Sequence, residues 1–278
     1  MGQLGLGDID DREVFTIIPM TRGLRVDYVA SGYNISFAVT QDNHVYTWGG
    51  ELGAATGIDT LGTKRDMKDF VTPRIIPALE EEGITMTSIG SSHACALSIE
   101  GDVFIWGYGK FGALGLESKS NKDKPTMITS FGENDVVANL ASGEHHTCAL
   151  LQNGDLYTWG NMNLGLSGVP TRIPTFHEVI SKVSCGAQHT VAVGASRVYS
   201  WGSGNGGRLG QNDYIDRSEP SPIETLDGLR IIDISAGTWH SACVILVPPL
   251  KEGGMVYTWG SGQCGQLGQG DAIVKFYS

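Results

Sequence analysis

Three glycines near the C-terminus, Gly260, Gly262 and Gly265 in WGSGQCGQLGQGD, have the G-x-G-x-x-G spacing that lets a backbone approach a dinucleotide pyrophosphate. The spacing recurs at Gly107, Gly109 and Gly112, and again at Gly202, Gly204 and Gly207. One cofactor needs one fingerprint, and no copy runs into a helical pattern whose N-terminal N–H groups could face a phosphate. These glycines read as turn residues, and no cofactor is expected. Histidines supply a second set: His93, His146, His189 and His240 each stand three residues after a glycine, in G-x-x-H. They lie too far apart for the local ligand pairs of a zinc site, so no metal is expected of them. The five cysteines (Cys95, Cys148, Cys185, Cys243, Cys264) are odd in number and contain no C-x-x-C. That disfavours a disulfide framework or a zinc site and favours a reducing, cytoplasmic compartment, with the nucleus as the alternative. There is no G-x-S-x-G, no H-E-x-x-H and no P-loop ending in Gly-Lys-Ser/Thr. No catalytic residue is assigned, and the chain is expected not to be an enzyme.

Composition narrows the partners. The 278 residues are 41% hydrophobic and 18% charged, a globular balance, and carry a net charge of −11. A phosphate backbone wants a basic face, so nucleic acid is not expected as the primary ligand. No run approaches the length of a membrane-spanning helix. The opening MGQLGLGDID has neither a basic n-region nor an apolar h-region and lacks the Ser or Thr of a myristoylation site. The 39 glycines are roughly twice ordinary usage and imply many tight turns.

Those turns belong to a repeat. Five segments superimpose, each running from a glycine (Gly32, Gly90, Gly143, Gly186, Gly237) to a Trp-Gly pair at Trp48, Trp106, Trp159, Trp201 and Trp259. The units fall at about 25–79, 85–132, 135–180, 181–225 and 230–271, within one domain spanning 1–278. Each begins with a short strand before the glycine, such as VVANLA. A second strand of small and apolar residues follows (HACALS, HTCALL, HTVAV), and a third carries β-branched and aromatic residues into Trp-Gly (HVYTW, DVFIW, DLYTW). Turns such as EGD and QNGD join the second to the third as a hairpin. Proline-bearing segments (TPRIIPAL, KPTMITSF, RIPTFHEVI, EPSPIETL) predict an outer fourth strand, and FTIIPM near the N-terminus is a further copy. Four antiparallel strands repeated roughly every 50 residues describe a propeller blade. The five tryptophans and five glycines are assigned to the repeat's structure.

The combination of G-x-x-H, VYTWG and G-Q-L-G resembles the repeat of the regulator of chromosome condensation family, over nearly the whole chain. GQLGLGD at 2–8, GRLGQND at 207–213 and GQLGQGD at 265–271 carry the likeness most closely. Repeats one and three depart, with GGELG and GNMNLG, and Ile35 replaces the first histidine. The resemblance implies an all-β propeller with seven blades, so five four-stranded antiparallel blades predict an incomplete ring. It also implies a protein-interaction module whose rim and loops bind a partner protein. The alternative is guanine-nucleotide exchange on a Ran-like small GTPase. A scaffold role inside a larger signalling or ubiquitin-ligase protein is compatible with the first reading. The candidate partner contacts are His93, His146, His189 and His240, with Trp239 in GTWH and Lys64, Arg65 and Asp66 in the long loop AATGIDTLGTKRDMKDF. The competing expectation for the histidines is a structural one, each capping a blade turn through neighbouring backbone. A second insertion, PPLKEGG, and the charged ESKSNKDK read as loops. One branch of the family senses ultraviolet light through several tryptophans at the Trp239 position, and a single tryptophan there predicts packing or an interface instead.

Overall fold

The computed structural model describes residues 2–50, 54–58, 70–161, 166–176, 178–246 and 254–270. Among these the chain forms five antiparallel sheets in sequence order. The first holds β1 Val26–Ser31, β2 Ile35–Thr40, β3 Val45–Gly49 and β4 Arg74–Ile75; the second holds β5 Ile84–Ile89, β6 His93–Ser98, β7 Val103–Gly107 and β8 Lys122–Met127. The third comprises β9 Val137–Ser142, β10 His146–Leu151, β11 Leu156–Asn161 and β12 Leu166–Arg172. β13 Ile180–Cys185, β14 His189–Gly194, β15 Val198–Gly202 and β16 Arg217–Pro222 make the fourth. The fifth has three strands, β17 Arg230–Ala236, β18 His240–Leu246 and β19 Met255–Gly260. This is an all-β propeller.

Why these residues form blades follows from what each strand must face. The second strand of an inner blade is covered on both faces, and β6, β10 and β14 are buried at every position. Small residues alternating with branched ones let neighbouring blades close on it. Successive blades pack through their first strands, β1 on β5, β5 on β9, β9 on β13 and β13 on β17. Between the first two, Phe37 and Val39 meet Ala94, Ala96 and Trp106 in one cluster. Equivalent clusters fill the later junctions. Asn43 takes φ 63° in the first β2–β3 turn, a conformation Asn tolerates better than most residues.

The fourth strands are held by a repeated bond. The N–H groups of Ile76, Ile128, Ile173 and Ile223 donate to the carbonyls of Val45, Val103, Leu156 and Val198, at 2.8–2.9 Å. Each accepting residue opens a third strand and is about 1% exposed. The fifth blade differs. Val256, at the same place in β19, is 67% exposed, and no strand among the described residues pairs with that edge. FTIIPM does not take the place. It forms no strand and ends in a 3-10 turn at Pro19–Thr21, with Phe15 and Ile17 exposed, so the expectation of a fourth-strand copy there is corrected. The proline pattern marks how such a segment ends, but a strand also needs an edge to bond to, and no strand among the described residues pairs with this one. β18 shows the same openness, its residues alternating between buried and half-buried where β6, β10 and β14 are covered throughout.

Candidate functional site

The G-x-x-H element begins the second strand of a blade, at the end facing the centre of the assembly. In three of the four the imidazole reaches across a blade boundary. His93 Nε2 lies 2.8 Å from Thr147 Oγ1, His146 Nε2 3.0 Å from Thr190 Oγ1, and His189 Nε2 2.8 Å from Ser241 Oγ. Each hydroxyl sits one residue after the next blade's own histidine. Thr147 in turn donates to the Ala113 carbonyl at 3.3 Å, and Ser241 to the Arg208 carbonyl at 3.1 Å. A hydroxyl has one proton to give, so His93 and His189 must be the donors through Nε2–H.

The same two carbonyls receive the repeat tryptophans, Trp159 Nε1 to Ala113 at 2.8 Å and Trp259 Nε1 to Arg208 at 3.0 Å. Trp48 and Trp106 donate likewise to Gln3 and Ala55, each at 2.9 Å. The turn G-x-L-G at Gln3, Ala113 and Arg208, and A-A-T-G at Ala55, is therefore the acceptor seat for the following blade's tryptophan. Gly210 is required there, since a Cβ on it would stand 2.9 Å from the Trp259 ring, whereas Gly268 in the last such turn has nothing within 4 Å.

Burial fixes the charge state of the ladder. His93 is pushed down to about 4, and His146 and His189 to about 3, all three chiefly by loss of solvent. The Nδ1 atoms of all three have no hydrogen-bond partner, so a second proton would find no acceptor. Each ring fills the space a Cβ would need on its glycine: one on Gly90, Gly143 or Gly186 would overlap the imidazole and the next blade's glycine carbonyl. That is the reason for the glycine in G-x-x-H. In the first blade Ile35 replaces histidine, and the facing position is Ala94, so an apolar pair stands where the others bond.

These positions correct the assignment of His93, His146 and His189 as partner contacts, because all three are fully buried. The turn-cap expectation is corrected too: what each meets is a side-chain hydroxyl of the following blade. His240 is half-buried with its pKa lowered by burial, and its imidazole shows no hydrogen bond among the described residues. Lys64, Arg65 and Asp66 lie outside the described residues. The glycine triplets sit in turns, with Gly107, Gly202 and Gly260 at φ between 107° and 112°, and no α-helix follows them among the described residues.

What faces solvent is the pair of residues inside each G-x-x-H: Tyr33–Asn34, Ser91–Ser92, Glu144–His145, Ala187–Gln188 and Thr238–Trp239. Of these, Tyr33, Ser91, Glu144, Ala187, Thr238 and Trp239, together with the glycines, line a central channel of about 740 Å³ to which all five blades contribute. Tyr33 is 84% exposed and Trp239 45%. The Arg208 guanidinium lies 4.2 Å from the Trp239 ring centre and donates to the Asn205 carbonyl at 2.7 Å. Phe111 stacks on His145 at 4.1 Å, and Gln188 bridges to Glu144 at 3.3 Å. The rim is aromatic and polar, and differs from blade to blade on a frame that does not.

Below the rim, His146, Cys148 and Cys185 bring one ligand atom each to within 4.8 Å of one another. Sequence spacing gave no sign of this group, since Cys148 and Cys185 belong to different blades. Burial pushes the Cys185 thiol up, while its hydrogen bond to Cys148 lowers the latter.

A family model described as RCC1-like domain matches residues 1–275. Among curated proteins, the chain is 30% identical to the ultraviolet-B receptor UVR8 of Arabidopsis thaliana, over 99% of this chain and 62% of that protein. Among solved structures, human WBSCR16 superimposes with a TM-score of 0.78 at 20% identity, covering 91% of this chain and 66% of that one. Prp20p of Saccharomyces cerevisiae, whose structure was described with its binding to Gsp1p and histones, gives 0.71 at 23% identity, over 85% and 58%. The chain thus spans less than two thirds of the length of each of these three proteins. No helix among the described residues is long and apolar enough to cross a membrane.

Proposed function

Because the chain belongs to the RCC1-like domain family, we propose that it is a protein-interaction module that binds a partner protein through the channel rim. The observation that carries this reading is the division of labour within G-x-x-H. Glycine and histidine are spent on the blade junction, while the two residues between them vary and face solvent around one opening. Tyr33 and Trp239 provide exposed aromatic surface, and Glu144 and Gln188 provide polar groups already held in place, a mixture suited to interface centres. Loops on a rigid scaffold are where recognition generally resides.

Site-specific photo-crosslinking tests it. A benzophenone side chain is placed at 33, 188 or 239 on the rim, or at Glu100, Asn153 or Ser196 in the hairpin turns at the opposite ends of the strands. One shared adduct from the rim positions, missing from the hairpin positions, supports the reading; adducts confined to the hairpin turns refute it. A Ran-like GTPase loaded with fluorescent nucleotide serves as a defined candidate. Binding without faster nucleotide release fits an interaction module, and faster release that Tyr33→Ala or Trp239→Ala abolishes moves the chain to the exchange-factor reading.

A further inference from the structure

We propose that His146, Cys148 and Cys185 form a binding site for a thiophilic divalent cation, zinc by charge and geometry, at the junction between the third and fourth blades. Their three ligand atoms lie within 4.8 Å of one another, and Thr190 Oγ1 completes the group, 3.0 Å from His146 Nε2, 4.0 Å from Cys148 Sγ and 3.7 Å from Cys185 Sγ. Bonds of about 2.3 Å to sulfur and about 2.0 Å to nitrogen or oxygen give a tetrahedron with edges of roughly 3.3–3.8 Å, close to this spread. Two thiolates cancel the charge of one divalent cation, with imidazole and hydroxyl neutral. The site is thereby uncharged overall, as a buried one must be.

The neighbouring junctions show that packing does not demand the thiols. The places of Cys148 and Cys185 are taken by Cys95 and Ser142 one junction earlier, 3.3 Å apart, and by Val191 and Ala236 one junction later. The fold accepts an apolar pair there, yet at one junction it sets two sulfurs beside a histidine. Access also exists. Cys185 lines the central channel, so an ion entering from the rim meets it first, with Cys148 and His146 behind.

Cobalt serves as the probe, added to the complete reduced chain carrying Cys264→Ser, which removes the exposed thiol. The expected result is saturation at one Co2+ per chain, with tetrahedral d–d bands, a thiolate-to-cobalt charge-transfer band and release of two thiol protons, all reversed by equimolar Zn2+. Cys148→Val with Cys185→Ala copies the next junction and should abolish the bands while keeping the β circular dichroism and the metal-free melting temperature. If that pair fails to fold, Cys185→Ala alone must still remove half of the charge-transfer intensity. Absence of tetrahedral bands in the parent chain, bands that survive these substitutions, or a mass two hydrogens lighter that marks a Cys148–Cys185 disulfide in the reduced preparation would each overturn the assignment.

Discussion

Lowering the pH should loosen the blade junctions well before the carboxylates titrate. In the folded chain His93 holds its neutral form down to about 4, and His146 and His189 to about 3, against 6.5 for an ordinary histidine. On acidification the unfolded chain takes up these protons first, so stability falls as pH drops below 6.5 and continues to fall until the folded-state values are reached. Each group then contributes about 1.4 kcal/mol per pH unit, and three together remove about 4 kcal/mol between about pH 7.5 and about pH 5.5. Against a typical total of about 5–15 kcal/mol this is a large share. The carboxylates with lowered pKa values, Asp155, Asp213 and Glu178, lose their contribution only at lower pH, outside this window. Urea unfolding at constant ionic strength, followed by tryptophan fluorescence at half-unit pH steps, measures the slope. His93→Gln should reduce it by about a third, at its own cost in stability at neutral pH. A stability that stays flat within about 1 kcal/mol over the window would refute the buried, neutral ladder.

Four further outcomes follow from the junctions. Trp106→Phe removes the hydrogen bond to the buried Ala55 carbonyl and should cost about 1–3 kcal/mol by chemical denaturation. Trp159→Ala adds a cavity and should cost about 3–5 kcal/mol in the same measurement. Gly143→Ala places a methyl group where His146 and the Gly186 carbonyl already stand, and should cost about 3 kcal/mol or more, or prevent folding. A double-mutant cycle on His189→Ala and Ser241→Ala should return a coupling of about 0.5–3 kcal/mol, where uncoupled side chains return none.

The frame was legible because it repeats. Trp-Gly, the hairpin turns and the small-residue second strand recur in register, and period-2 patterning places them in blades. The role of the histidines was not, although its clue is in the chain: Thr147, Thr190 and Ser241 each follow a histidine, and Ala94 faces the one blade start that lacks histidine. Reading them as a ladder requires knowing that each residue meets the following blade and not its own. The same blindness hid Cys148 and Cys185, whose proximity depends on the phase between blades and not on spacing along the chain. FTIIPM was misplaced for the opposite reason, since a local pattern suggested a strand where no strand among the described residues pairs with it. Arg208 gave no signal either, because a buried arginine stacked on Trp239 looks in sequence like any loop arginine.

The central claim is that the junction and the rim are separate within one motif, and two substitutions at its adjacent third and fourth positions test it. Trp239→Ala and His189→Ala are compared for unfolding free energy and for the yield of the crosslink formed from position 33. The account predicts that Trp239→Ala leaves stability within about 1 kcal/mol, the scale of a cation–π contact to a partly exposed ring, and sharply lowers the crosslink. His189→Ala should lower stability by about 1–3 kcal/mol while its folded fraction crosslinks as the parent chain does. The reverse result, a stable His189→Ala chain that no longer crosslinks beside a destabilised Trp239→Ala chain that does, would contradict it.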